Sequence, residues 1–238
     1  MNQRKYSKMQ LIRVTQLEQF RKWMTGCFYV NEQSVIDSLS GNFQGNNKTR
    51  IGTAGHKVVE LGLGCVFMGY KDKHLVQVDG EYASLYNMKQ LEILLHHRDS
   101  INGAFHEQKY GKEFQTKHYP IYVGGTIDII HGITLRDNKF VFRTPDYSNY
   151  TESQQWKLYL EFMELDIFYF DLFEFKGYKD EMKLNVSSLE MVQHEPLECI
   201  RYKNMEQDNQ LLVEQFIDWI EFRQLKHLLM DKKDYFNE

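Results

Sequence analysis

Proline is scarce: the 238 residues contain only 3, which argues against long proline-rich linkers. Cysteine is equally scarce. Cys27, Cys65 and Cys199 are far apart and odd in number, so they form neither a disulfide framework nor a zinc-ligand spacing. No apolar run approaches the length of a membrane span. The basic start MNQRKYSKMQ is not followed by an apolar signal core. These absences lead us to expect a soluble, cytoplasmic protein with no membrane partner. Positive charge is not in excess either. Lys and Arg total 29 against 33 Asp and Glu, a formal net charge of −4. That balance argues against wrapping nucleic acid by bulk charge, while a local basic groove remains compatible with it. Internal repeats and low-complexity tracts are also missing.

Hydrophobic residues make up 42 % of the chain and aromatics 14 %, enough apolar content for a folded core. Thr15 to Gly26 predicts an amphipathic helix, with Thr15 as cap and Glu18 three positions on. Ser38 to Arg50 reads as an exposed polar loop. Gly52 to Tyr70 and Ser84 to His97 have helical spacing. In the middle, His118 to Ile130 and Ile133 to Thr144 read as strands, with a turn at either His131–Gly132 or Arg136–Asp137–Asn138. A helix follows from Thr151, then a strand around Phe168 to Phe175 and another at Leu197 to Asn204. Asn209 to Met230 closes the chain as an amphipathic helix. This order predicts an α/β fold, a mixed sheet flanked by helices. The expected organisation is a single domain over 1–238: a helical part to 110, a sheet core over 111–206, and a C-terminal helix over 207–238.

Three features carry candidate chemistry. Asp128 lies inside the apolar run VGGTIDII, where a carboxylate costs free energy unless it is compensated; the ordinary alternative is a solvated strand-end Asp. His56 and Glu60 are four apart and share a helix face. Imidazole and carboxylate suit divalent ions, and a surface ion pair is the plainer reading. Gln155 and Tyr159 have the same spacing on a later helix, with core-facing boundary positions as the alternative.

Taken in order, Gly52-x-x-x-His56-x-x-x-Glu60, then GGTIDII, then a strand ending KFVFRT, then Gln155-x-x-x-Tyr159, this pattern resembles the RecB-type exonuclease branch of the PD-(D/E)XK nuclease superfamily. The resemblance spans roughly Leu11 to Phe170. It implies a restriction-endonuclease-like core with N-terminal helical additions, Mg or Mn as cofactor, and DNA as the expected partner, along with a protein partner in a DNA-processing complex. His56 and Asp128 would then be metal ligands, with Glu60 supporting the site. Gln155 and Tyr159 would contact nucleic acid or brace the strand.

The family's second strand carries acid-x-lysine. Aligned on VFRT, that motif falls on Val141 and Arg143, an altered acid position with Arg143 in the catalytic lysine's place. Asp146 and Glu174 are then the candidate migrated acids, Glu174 because Glu174-Phe175-Lys176 is itself an acid-x-lysine. The alternative is a catalytically degenerate nuclease fold that binds DNA or protein without cutting. Relatives with iron–sulfur clusters use four cysteines, so with Cys27 and Cys199 alone no cluster is expected. Arg4, Lys5, Lys8 and Arg13 read as a solvated basic tail, and the aromatic run from Phe168 to Phe175 as sheet core.

Overall fold

The computed structural model describes residues 9–41, 45–67, 69, 72–78 and 81–237. In chain order its elements are β1 (Gln10–Arg13), α1 (Val14–Met24), α2 (Glu32–Leu39), α3 (Asn47–Leu61), β2 (Val66–Phe67), β3 (His74–Val78), β4 (Glu81–Tyr86) and α4 (Met88–Ser100). There follow β5 (Phe105–Phe114), β6 (Ile121–His131), β7 (Thr134–Val141), α5 (Ser148–Thr151), α6 (Gln154–Met163) and β8 (Ile167–Phe175). The last are β9 (Met191–Gln193), β10 (Leu197–Ile200), α7 (Met205–Phe222), β11 (Met230–Asp231) and α8 (Lys232–Asn237). Arg4, Lys5 and Lys8 lie outside the described residues.

An eight-stranded mixed sheet runs β10-β8-β7-β6-β1-β11, with β5 also on β6 and β9 also on β8. β2, β3 and β4 form a separate small sheet. The expected α/β architecture is therefore present. The first 110 residues are more than helical additions: β1 belongs to the main sheet, and the small sheet lies between α3 and α4.

Helices cover both faces. Leu17 and Phe20 of α1, Leu158 of α6 and Phe216 of α7 pack with Ile127, Phe168 and Phe170 in one core. Ile51 and Val58 of α3, with Leu91 and Leu94 of α4, pack on Phe173 and Phe175 in the other. Asparagine caps start α2, α3 and α4. Asn31 accepts from the Ser34 amide, Asn46 from Thr49 and Asn87 from Gln90, each satisfying one otherwise orphaned N–H. The helix expected from Thr151 begins instead at Gln154, where Ser153 caps it.

The arrangement around β6 positions the site. β5 pairs along one edge from Phe105↔Ile130 to Phe114↔Ile121, with a gap in the register at Glu107 and Asp128. Two strands share the other edge. Parallel β1 lies beside Tyr122 to Gly124, and antiparallel β7 beside Ile129 to His131. Residues 125–128 lie in the fork between them. The β6–β7 turn is at Gly132, whose φ of +60° favours glycine. Arg136–Asp137–Asn138, the other turn candidate, lies inside β7.

Candidate functional site

Asp128 stands in the fork of β6, and the register that pairs Ile129 with Arg136 carries Asp137 of β7 alongside it. His56 reaches the same point from α3. Ligand atoms of His56, Asp128 and Asp137 all lie within 4.8 Å of one another, and His56 Nδ1 is 3.4 Å from Asp128 Oδ2. The close approach of α3 depends on glycine. A Cβ on Gly55 would sit 2.1 Å from the Phe140 ring, which is stacked on Phe173.

Lys139, two residues past Asp137, places Nζ 2.5 Å from Asp137 Oδ2 and donates to Gln155 Oε1 at 3.2 Å. The Tyr159 hydroxyl donates to the Thr126 carbonyl at 2.8 Å, satisfying a backbone acceptor that the fork leaves without a strand partner. Gly125 makes room for that ring, because a Cβ there would lie 2.7 Å from it. Gln155 and Tyr159 thus brace the lysine and the strand.

Asp137 is 1 % exposed, and neither of its carboxylate oxygens has a well-aligned hydrogen-bond donor among the described residues. A buried carboxylate in that condition is costly and is suited to a cation. Burial opposes the Asp137 charge, but the Lys139 ammonium and the contact with Asp128 outweigh it and hold its pKa below the ordinary value. Asp128 goes the other way: burial and the neighbouring Asp137 charge push it well up. Burial also lowers His56 to about 4, which keeps the imidazole neutral, the form that ligates metals. Lys139 is raised, because Asp137 and Asp128 overcome its desolvation. Two carboxylates, a neutral imidazole and a charged lysine form a hard-cation donor set with a cationic neighbour.

A second polar group braces β7 on the face that α3 and α4 cover. Arg136 makes a two-pronged pair with Asp171 of β8 at 2.8 and 2.6 Å. His97 Nε2 lies 3.0 Å from Asn138 Oδ1 and 3.6 Å from Asp171 Oδ2. Both neighbours of Asp137 in sequence are therefore tied to the β8 and α4 residues on the face that α3 and α4 cover.

Of the residues singled out in the sequence, His56 and Asp128 meet at the cluster, and Gln155 and Tyr159 support it. Glu60 instead faces Lys57, at 2.8 Å. Val141 and Arg143 lie at and beyond the end of β7, and the acid and lysine beside Asp128 are Asp137 and Lys139. Asp146 is exposed and accepts from the Ser148 amide and hydroxyl. Glu174 pairs with His194 at 2.9 Å. Neither acid belongs to the cluster. Cys27 is half-buried, while Cys65 and Cys199 are buried. Sequence reading missed Asp137, Lys139 and Glu107. The first two were visible as Asp-Asn-Lys, an acid-x-lysine four residues before VFRT. Glu107 lies across from Asp128 in the β5–β6 register and lines the same cleft. Burial and the Glu60 charge raise its pKa.

Among the described residues, no helix is long and apolar enough to cross a membrane. No family model and no curated protein matches the chain at a significant level. Among solved structures it is similar to one described as the crystal structure of SSO0001, with 12 % identity over 91 % of this chain and 79 % of that one and a TM-score of 0.46.

Proposed function

We propose that this protein is a metal-dependent phosphodiesterase acting on DNA, with His56, Asp128 and Asp137 holding Mg or Mn. The observation that carries this reading is the buried Asp137 carboxylate, gathered with Asp128 and His56 within ligand distance and paired with the Lys139 ammonium. The residues fit a hard divalent ion, since both acids offer oxygens and the imidazole is neutral. When bound, such an ion polarises the phosphate and lowers the pKa of water.

The chain's own groups supply the rest. Lys139 stays protonated, so it stabilises negative charge on the phosphate and orients the attacking water rather than acting as a base. Gln155 fixes the lysine head, and Tyr159 holds the fork open at Thr126. Glu107, with its raised pKa, suits the role of proton acceptor in the cleft. One water adds across the ester: its oxygen bonds to phosphorus, the phosphorus–oxygen bond to the leaving group breaks, and the leaving oxygen gains a proton. An acid and a lysine at the second-strand positions favour an active site over a degenerate one.

The test is cleavage of linear DNA, single- and double-stranded, in Mg or Mn. Lys139→Met is expected to lower kcat about 100- to 1,000-fold while leaving Mn affinity within a few-fold, and Asp137→Asn to abolish both. Absence of cleavage by folded wild-type protein in either metal contradicts the reading.

A further inference from the structure

Three cavities succeed one another across the site. The central cleft, about 730 Å3, holds His56, Asp128, Asp137 and Lys139. It adjoins a cavity of about 330 Å3 across Thr15 and Asp128, which line both. On its other side it adjoins a cavity of about 290 Å3 across Lys48 and Phe142, again common to both. The carboxylates therefore lie in the middle of a furrow, not at a blind end.

Charge follows the same layout. One arm carries Arg13 and Lys109, Lys109 also donating to the Tyr235 carbonyl at 2.8 Å; the other carries Lys48 and Arg143, with Asp146 as the lone acid of its lining and Asp180 3.5 Å from Lys48. A chain of net charge −4 thus places two cations on either side of its acidic cluster. The cluster itself is recessed, with the Asp137 side chain almost wholly buried and Asp128 19 % exposed. A reacting phosphate has to enter the cleft, which a flexible single strand does more readily than a stiff duplex backbone. Cationic grooves that follow a backbone are how single strands are held without sequence preference.

We propose that the furrow passes a single nucleic-acid strand through the site, with phosphates bound on both sides of the reacting bond, so that cleavage is internal and needs no free end. This rests on the hydrolytic reading above. Each event consumes one water and leaves one phosphate monoester and one hydroxyl, as in any phosphodiester hydrolysis.

The experiment uses the full chain with Mn, a covalently closed single-stranded DNA circle, and the linear strand of the same sequence. The circle is expected to open at a rate within about tenfold of linear-strand cleavage, because both arms are filled in either substrate. Consumption of the linear strand with the circle intact overturns the inference and leaves the hydrolytic reading standing. Cleavage of neither overturns both. A second measurement is equilibrium binding of a labelled single strand in EDTA at low salt. Lys48→Glu and Lys109→Gln, one in each arm, are each expected to weaken binding about three- to tenfold and to reduce its salt dependence. An effect confined to one arm places the strand's end at the cluster and contradicts internal cleavage.

Discussion

Before any cation arrives His56 is already held neutral, the form that ligates a metal, whereas Asp128 favours its protonated form and has to release that proton when an ion binds. Burial and the Asp137 charge make ionised Asp128 costly, so a bound ion repays a cost already built into the fold. Asp128→Asn is therefore expected to raise the thermal midpoint of the metal-free protein at neutral pH and to remove the further rise on adding Mn, both read by a melting scan. His56 gives a pH signature with a definite sign. Its folded pKa, about 4, lies below its ordinary 6.5. The unfolded chain therefore takes up a proton that the fold refuses, and stability falls as pH drops from 6.5 toward 4. The His56 share of that loss is roughly 3 kcal/mol, read by urea unfolding as the difference between metal-free wild type and His56→Gln across the window, because the raised Asp128 works in the opposite direction in both proteins. Asp128 and His56 were both legible from the sequence, one as an acid in an apolar run and the other by its helical spacing from Glu60. Asp137 was hidden for a physical reason. Asp and Asn are depleted in strands and common in turns, so Arg136–Asp137–Asn138 competed as a turn. A functional site is where local propensity and actual structure are expected to part.

At the level of elements, β7 is the part whose placement matters most, and it is anchored on both sides. Lys139 faces Gln155 on α6, while Arg136 and Asn138 meet Asp171 of β8 and His97 of α4 on the other face. Asp171→Ala leaves Arg136 without its carboxylate and is expected to cost about 3–5 kcal/mol in unfolding experiments. Pairing Asp171→Leu with Arg136→Met is expected to recover most of that stability, because an apolar pair can replace a buried ionic one. Mn affinity should remain lowered in the double variant, which separates holding β7 in place from merely stabilising the fold. The strands around β7 were unevenly legible. β6 and β8 are apolar enough to show by composition. β5 did not, because its sequence, FHEQKYGKEF, is polar and mostly solvent-facing, and what fixes it is its long pairing with β6 from Phe105 to Phe114. β1, at four residues, is too short for any periodicity to show, yet its end at Arg13 and the departure of β7 from β6 past Arg136 define the fork that holds Asp128.

For the molecule as a whole, a mixed sheet with helices on both faces brings α3, β6, β7 and α6 to one place, although their contributing residues are spread from His56 to Tyr159. The order of elements was readable from the sequence, and so was the α/β class. The meeting point itself depended on the register between β6 and β7, which one misplaced turn shifts by four residues. The central claim is that His56, Asp128 and Asp137 form a cation site on this scaffold. The most direct measurement is calorimetric titration of Mn into wild-type, Asp137→Asn, Asp146→Asn and Glu174→Gln proteins near neutral pH. We predict binding to the wild type that Asp137→Asn abolishes and that Asp146→Asn and Glu174→Gln leave unchanged. Undiminished binding in Asp137→Asn, or loss of binding in Asp146→Asn or Glu174→Gln, would contradict it.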